Sequence, residues 1–308
     1  MTTQFKSLPQ VLDYFKNEEV CSAYLARQRW GNTPSCPHCG NVGAYVTNRG
    51  FKCKAKECHK KFTVTTGTIF EATKISLRTW FAAMYLCTAH KKGISSLQLH
   101  RDLNITQKTA WFLLHRIREM LANNNNEPLE GTIEIDETYV GGKAKNKSNK
   151  KRAQLLQSGE LWGNKTAVVA LVQRNGEVRT HILHTQKPSR ADVFPIIVNN
   201  VSDNAHLITD SSTMYHSLKH IYKHDSVNHA GSEYVRGEIH TNTVEGFFGQ
   251  LKRGIIGIYH YVSPKHLHRY CHEFGYRWNT RKEADINRFE DTFKKADNAR
   301  LKYSDLIA

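Results

Sequence analysis

The chain has 308 residues, enough to bury a sizeable core and to form two or three domains, and carries a formal net charge of +16. Such an excess points to a polyanionic partner, because clustered Lys and Arg gain free energy by releasing counterions from nucleic acid. No apolar run approaches the roughly 18 residues that a membrane span needs, and the opening Met-Thr-Thr-Gln-Phe-Lys-Ser lacks the apolar core of a secretory signal, so a cytoplasmic protein with no membrane partner is expected.

In that compartment seven cysteines, an odd number, read as thiols or metal ligands. Residues 1–30 suggest a helical lead-in with Leu12, Phe15, Tyr24, Leu25 and Trp30 as packing residues. Next comes Cys36-Pro-His-Cys39, thirteen residues, and then Cys53-Lys-Ala-Lys-Glu-Cys58-His. Two close cysteine pairs separated by a hairpin-length insert suit one structural zinc ion, since each pair sits on a tight knuckle and the insert brings the knuckles together. A zinc ribbon over residues 31–72 follows. The second spacing is four rather than two, which leaves His59 or His38 open as a replacement for a cysteine, Cys58 above all. Arg49, Lys52, Lys54, Lys56, Lys60 and Lys61 surround a single acid, Glu57, so the ribbon also offers a surface to DNA.

Over residues 73–126 the apolar positions take a helical period. Trp80, Phe81, Met84, Tyr85 and Cys87 belong to one helix that ends at Lys91-Lys92-Gly93, and a second passes through Leu97 and Leu99. Asn104-Ile105-Thr106 forms a turn whose threonine caps a third helix through Trp111, Leu114, Ile117 and Met120. This is the pattern of a helix-turn-helix, with Gln107, Lys108, Thr109 and His115 as candidate exposed readers, although an ordinary three-helix unit has the same pattern. Asn123 to Asn126 reads as a linker.

From residue 127 the period becomes two. Thr132 to Val140 alternates as a strand, Ile133 and Ile135 on one face and Glu134 and Asp136 on the other, and Gly141-Gly142 ends it. Within a basic insertion over residues 141–165, Lys143 to Arg152 carries six basic residues and no acid and is expected to be a loop along a phosphate backbone. Residues 166–172 and 177–183 suggest a hairpin, 191–201 a helix, and 206–210 a buried strand ending in Asp210. Ser211-Ser212-Thr213 opens another helix, and 227–229 is the last expected strand. In the final helix Val244, Phe247, Phe248 and Leu251 form a core stripe, leaving Asn242, Glu245, Gly249 and Lys252 together on the other side. Asn242 and Glu245 also have the spacing of a capping box, and a lone strand-end acid is often a turn former, so each position has an ordinary reading of its own.

Three strands, helix, strand, helix, strand, helix is the element order of a ribonuclease-H-like α/β domain, here over residues 127–281. In that fold Asp136, Asp210 and Glu245 meet. Three converging carboxylates are costly unless a cation neutralises them, and oxygen ligands select magnesium or manganese, two ions of which suit phosphoryl transfer. Beyond it, Leu267, Tyr270, Phe274 and Trp278 suggest a closing helix, Cys87 and Cys271 are core thiols, and the charged stretch 282–308 reads as a peripheral tail.

With these parts the chain resembles insertion-sequence transposases of the DDE type, the bacterial ISXO-like group with an N-terminal zinc ribbon. The resemblance runs from Cys36 to about Arg281 and is carried by Ile135-Asp136-Glu137-Thr-Tyr-Val-Gly-Gly-Lys143, Thr209-Asp210-Ser, and His240-Thr-Asn242-Thr-Val-Glu245 followed by Lys252 and Arg253. It implies a multidomain α+β protein that cleaves and joins double-stranded DNA, the element ends and a target, as a nucleoid-associated dimer or larger assembly. Asp136, Asp210 and Glu245 would then be metal ligands, with Asn242 the alternative third ligand, while Lys252, Arg253, Lys143, Gln107 and Lys108 contact DNA. The rivals are a DNA-binding regulator with an inactive catalytic fold, and a nuclease or resolvase that cuts without joining.

Overall fold

The computed structural model describes residues 5–123, 125–142, 146–157, 165–185 and 187–308. The chain forms two compact units, one made of Met1–Ala122 together with Lys282–Ala308, the other of Asn123–Arg281. The first begins with helices α1 (Leu8–Tyr14) and α2 (Glu18–Trp30), the strands β1 (Ala44–Thr47), β2 (Gly50–Cys53) and β3 (Lys61–Phe62), and helices α3 (Leu77–Ala89), α4 (Ser96–Leu103) and α5 (Gln107–Met120). The second contains β4 (Thr132–Val140), α6 (Asn149–Gln157), β5 (Thr166–Gln173), β6 (Val178–Leu183), α7 (Arg190–Asn200), β7 (His206–Asp210), β8 (Lys223–Val227), the short pair β9 (Val235–Arg236) and β10 (Ile239–His240), α8 (Asn242–Gly254) and α9 (Leu267–Asn279). The chain then returns to the first unit with α10 (Asp285–Lys294) and α11 (Tyr303–Ile307). No helix among the described residues is long and apolar enough to cross a membrane.

Helix starts in the first unit follow local side-chain chemistry. Ser76, Ser95 and Thr106 each accept the N–H three residues on, of Thr79, Gln98 and Thr109, which satisfies a donor that the first helical turn leaves without a partner. Asn104 takes the left-handed conformation at φ 49° and ends α4, so the turn into α5 falls where the sequence set it. The core is aromatic: Phe15 meets Phe81 at 4.9 Å, and Phe81 meets Phe293 at 4.8 Å. Phe289 and Phe293 are fully buried, so residues from Lys282 are not the peripheral tail that their charge suggested. Ile286, Phe289 and Phe293 form a narrow apolar stripe on α10, easily masked by the charged residues on its other faces. His115, expected on an exposed face, is buried with its ring 4.6 Å from Trp111, one turn back on the same side of α5.

The second unit is built on a five-stranded sheet of order β6-β5-β4-β7-β8. Strands β4, β5 and β6 run antiparallel, whereas β7 pairs parallel to β4 and β8 parallel to β7. Strand β5 is buried on both faces, hence its unbroken Ala-Val-Val-Ala-Leu-Val run. Ile133, Ile135, Val169 and Leu171 share one cluster with Val193 and Ile197 of α7. Val168, Ala170 and Val172 share the other with Val244, Phe247, Phe248 and Leu251 of α8 and Phe274 of α9. The expected stripe on α8 is therefore the buried one.

Three local readings change. The basic stretch expected to be a loop is helical from Asn149 to Gln157, a run rich in the helix formers Lys, Arg, Ala, Gln and Leu. Residues Thr213–His220 form a 3₁₀ helix, and the last strand of the sheet lies at Lys223–Val227 rather than 227–229. That strand is polar except at Val227, so only its end carried an apolar signal.

Candidate active site and zinc centre

In the ribbon, β1, β2 and β3 form an antiparallel sheet that holds the two cysteine knuckles together. Cys36 and Cys58 approach with sulfurs 3.8 Å apart, and Cys39 and Cys53 at 3.6 Å. The ligand atoms of all four lie within 4.8 Å of one another, the spacing of a tetrahedral thiolate shell. The cysteines alone make this group, without His38 or His59. Cys36, Cys53 and Phe62 are the buried members of the ribbon's small core, with Trp30 and Phe51 packed on it. The donor set suits a structural zinc ion. Cys21, Cys87 and Cys271 are buried thiols elsewhere.

The second site lies on the face of β4 that meets α8. Strand alternation puts Glu134 and Asp136 on that face, and the parallel register pairs Glu134 with Ile208 of β7. The paired register ends there, and Asp136 and Asp210 each follow it by two residues on their neighbouring strands. Burial foremost, then the Glu137 carboxylate and those of Asp210 and Glu245, push the Asp136 pKa up to about 7. Of the three acids named from the sequence, Asp210 and Glu245 thus both act on Asp136 through space. Among the described residues, however, only the cysteine group converges within 4.8 Å, and the acids stand wider apart.

Each acid is held differently. Asp136 accepts the Glu137 N–H at 2.8 Å, and Asp210 accepts the Ser212 N–H at 3.0 Å. Glu245 accepts the Thr241 hydroxyl at 2.9 Å, while its side chain stays 48% exposed and lies 3.8 Å from His229 Nε2. Asn242 is exposed and forms no capping box. The α8 N-terminus is instead satisfied from β4: Glu134, fully buried, accepts the N–H groups of Thr243 at 2.7 Å and Val244 at 3.0 Å. The Thr243 hydroxyl and Arg174 Nε complete its shell. His240, the first residue of the motif quoted above, is built into this cluster at 3.1 Å from Arg174 Nη2.

Sequence reasoning passed over Glu134, Arg174, Glu137 and Tyr215 as parts of the site. Tyr215 is buried and donates to Glu137 at 2.9 Å, and burial, then Glu137, raises its pKa well above the usual value. Glu134 and Glu137 had a signal in their places beside Asp136, Glu134 two residues before it on the same strand face, whereas Arg174 and Tyr215 had none. Lys252, further along α8, is exposed beside a cleft of about 250 Å³ lined by Gly141, Gly142, Lys165 and Tyr261. Arg253 is exposed on the next position, Gln107 and Lys108 are exposed on the first turn of α5, and Lys143 lies outside the described residues.

A four-cysteine ribbon in one unit, and in the other a mixed sheet carrying interacting carboxylates and a following helix with Lys252, define a zinc-ribbon protein with a second, acidic site. Residues 128–279 match the ISXO2-like transposase domain and residues 16–61 the transposase zinc-ribbon domain, so the ISXO2-like transposase group is matched in both segments. It is 28% identical over 275 residues, 85% of this chain and 91% of the relative, to an uncharacterized protein in transposable element ISH50 of Halobacterium salinarum.

Proposed function

We propose that the protein is a DNA transposase that binds the terminal inverted repeats of its element and carries out metal-dependent cleavage and strand transfer. The observation that carries this reading is the coupling of Asp136 to Asp210 and Glu245 on one face of the second unit. Strand order β6-β5-β4-β7-β8, with a helix across it bearing the third acid, supports a ribonuclease-H-like fold. The capped turn between α4 and α5 supports a helix-turn-helix in which Gln107 and Lys108 reach DNA.

The residues fit hard divalent ions. A buried carboxyl lifted by neighbouring carboxylates lacks a compensating charge, and all the donors are oxygens, which suits magnesium or manganese. Asp136, Asp210 and Glu245 would hold the ions, with Asn242 on the same helix face as the alternative third ligand. Two such ions, when bound, supply Lewis-acid activation of the attacking hydroxyl and neutralise charge on the leaving oxygen. The chain's own contributions are positional. Glu134 fixes the start of α8, Tyr215 orients Glu137, and Lys252 with Arg253 offers cations to the phosphates of a DNA end. Joining two ends calls for at least two copies of the chain.

Incubation with a labelled terminal-repeat duplex, a plasmid target and magnesium or manganese tests the reading. Joined product is expected; nicking without joining would indicate a nuclease, and a shifted but intact duplex a regulator. Asp136→Asn and Asp210→Asn should each abolish product while leaving duplex binding intact, and strand transfer retained in either defeats the assignment. Glu245→Gln against Asn242→Ala decides the third ligand.

A further inference from the structure

In the first unit a cavity of about 470 Å³ opens between the segment before α3, the first turns of α5 and Tyr303 of α11. Its walls are aromatic: Trp80 and Phe112 line it, and Tyr303 meets Phe112 edge-on at 5.4 Å. Its charged lining is Lys74, Lys108 and Arg116, with no carboxylate. Lys108 Nζ stands 4.8 Å from the Tyr303 ring centre, and the Arg116 guanidinium lies 4.9 Å from that of Trp80.

Arg116 is the unusual member. It is 4% exposed, and Nη2 donates to the carbonyls of Ile69 and Glu71, yet Nε has no partner among the described residues. Burial, and then nearby Arg300, pull its pKa down to about 10 against the opposing effect of Glu71, as expected for a cation short of negative neighbours. A buried guanidinium of this kind is costly unless an acceptor completes it.

We propose that this cavity takes one unpaired nucleotide of a DNA strand, its base against Phe112 and Tyr303 and its phosphate beside Lys74 and Lys108, with Arg116 completing its donors on the ligand. The volume suits a mononucleotide-sized ligand and is far too small for a duplex. Flat aromatic walls favour a planar ring, three cations without a carboxylate favour an anion, and the two together are the chemistry of single-strand binding sites. The proposal rests on the reading that this unit handles DNA.

The test uses the zinc-loaded full chain and compares a blunt terminal duplex with the same duplex bearing a short single-stranded overhang. The overhang is expected to bind about fivefold tighter or more, and Tyr303→Ala should erase that difference while blunt-duplex binding persists. Lys74→Ala, an exposed position, provides a second variant with little folding risk, and melting curves check both proteins. Thymidine 5′-monophosphate should compete weakly with the overhang and inorganic phosphate not at all. Equal binding of blunt and overhang DNA, indifference to Tyr303→Ala, or phosphate competing as well as the nucleotide would overturn the proposal. A free nucleotide binding tighter than the overhang would overturn the assignment to a DNA strand. Loss of all duplex binding by the wild type would remove the DNA-binding reading itself, a separate failure.

Discussion

Thr243 donates both its backbone N–H and its hydroxyl to Glu134, at 2.7 and 2.8 Å, across 109 residues of sequence. The carboxylate on β4 thereby caps α8, and the strand that carries Asp136 is tied directly to the helix that carries Glu245. Glu134→Ala leaves Arg174 and two backbone donors without their acceptor, which should cost roughly 3 kcal/mol or more. Urea denaturation is expected to show that loss, with Glu134→Gln falling between. Wild-type stability in Glu134→Ala would contradict the capping role.

Asp136 titrates at about 7 rather than near its usual 3.8, because burial and then the adjacent carboxylates favour its acid form. Protonation therefore stabilises the ion-free fold. The contribution is complete below the unfolded-state value and is lost as the pH rises through about 7. Without magnesium, the melting temperature of the wild type should fall relative to that of Asp136→Asn between about pH 5 and pH 8, leaving the variant the more stable protein at the upper end. Added magnesium should narrow the gap by stabilising the wild type alone. Parallel melting curves for the two proteins at all pH values would refute this.

Gly254 closes α8 against the fully buried Phe274, where an added Cβ would come within 2.7 Å of ring atom Cε1. Since the ring has no free space to enter, Gly254→Ala should destabilise the second unit by about 1–3 kcal/mol. Gly249→Ala is the control. Its nearest atoms belong to Arg253 at 3.6 Å, so the helix propensity of alanine should leave stability unchanged or slightly higher. Thermal melts of the two variants distinguish the cases.

Lys252→Ala should weaken DNA-end binding at low salt and reduce the slope of log affinity against log salt by about one. Fluorescence anisotropy over a salt series measures both. An unchanged slope would mean that the ammonium meets no phosphate.

Removal of zinc should unfold the ribbon and spare the five-stranded sheet. Only Cys36, Cys53 and Phe62 are fully buried in the ribbon's cluster, too little apolar surface to hold three short strands without the metal. Hydrogen exchange on the chelated protein should show β1 to β3 deprotected while β4 and β5 stay protected.

What could be read from the residues alone was what neighbouring residues determine. Cysteine spacing, the stripe from Val244 to Leu251 and the cap at Thr106 each depend on positions a few residues apart, and all appear in the structure. The partners of Glu134 were hidden because Arg174 and Thr243 arrive from other elements. His229, in a 3₁₀ turn that follows β8, comes within 3.8 Å of Glu245 only through the fold. Charge also misled: basic side chains in 149–157 and charged ones of both signs in α10 obscured helical segments.

Phe289 and Phe293 complete a core whose other aromatic rings, Phe5, Phe15 and Phe81, were laid down more than two hundred residues earlier in synthesis. On the ribosome the first unit cannot finish its interior until the entire second unit has emerged. A nascent chain stopped near Arg281 would hold a folded sheet beside an open, aromatic-lined helical half, a natural substrate for chaperones and proteases. Translation order thus makes completion of the amino-terminal unit contingent on residues synthesised after the second unit.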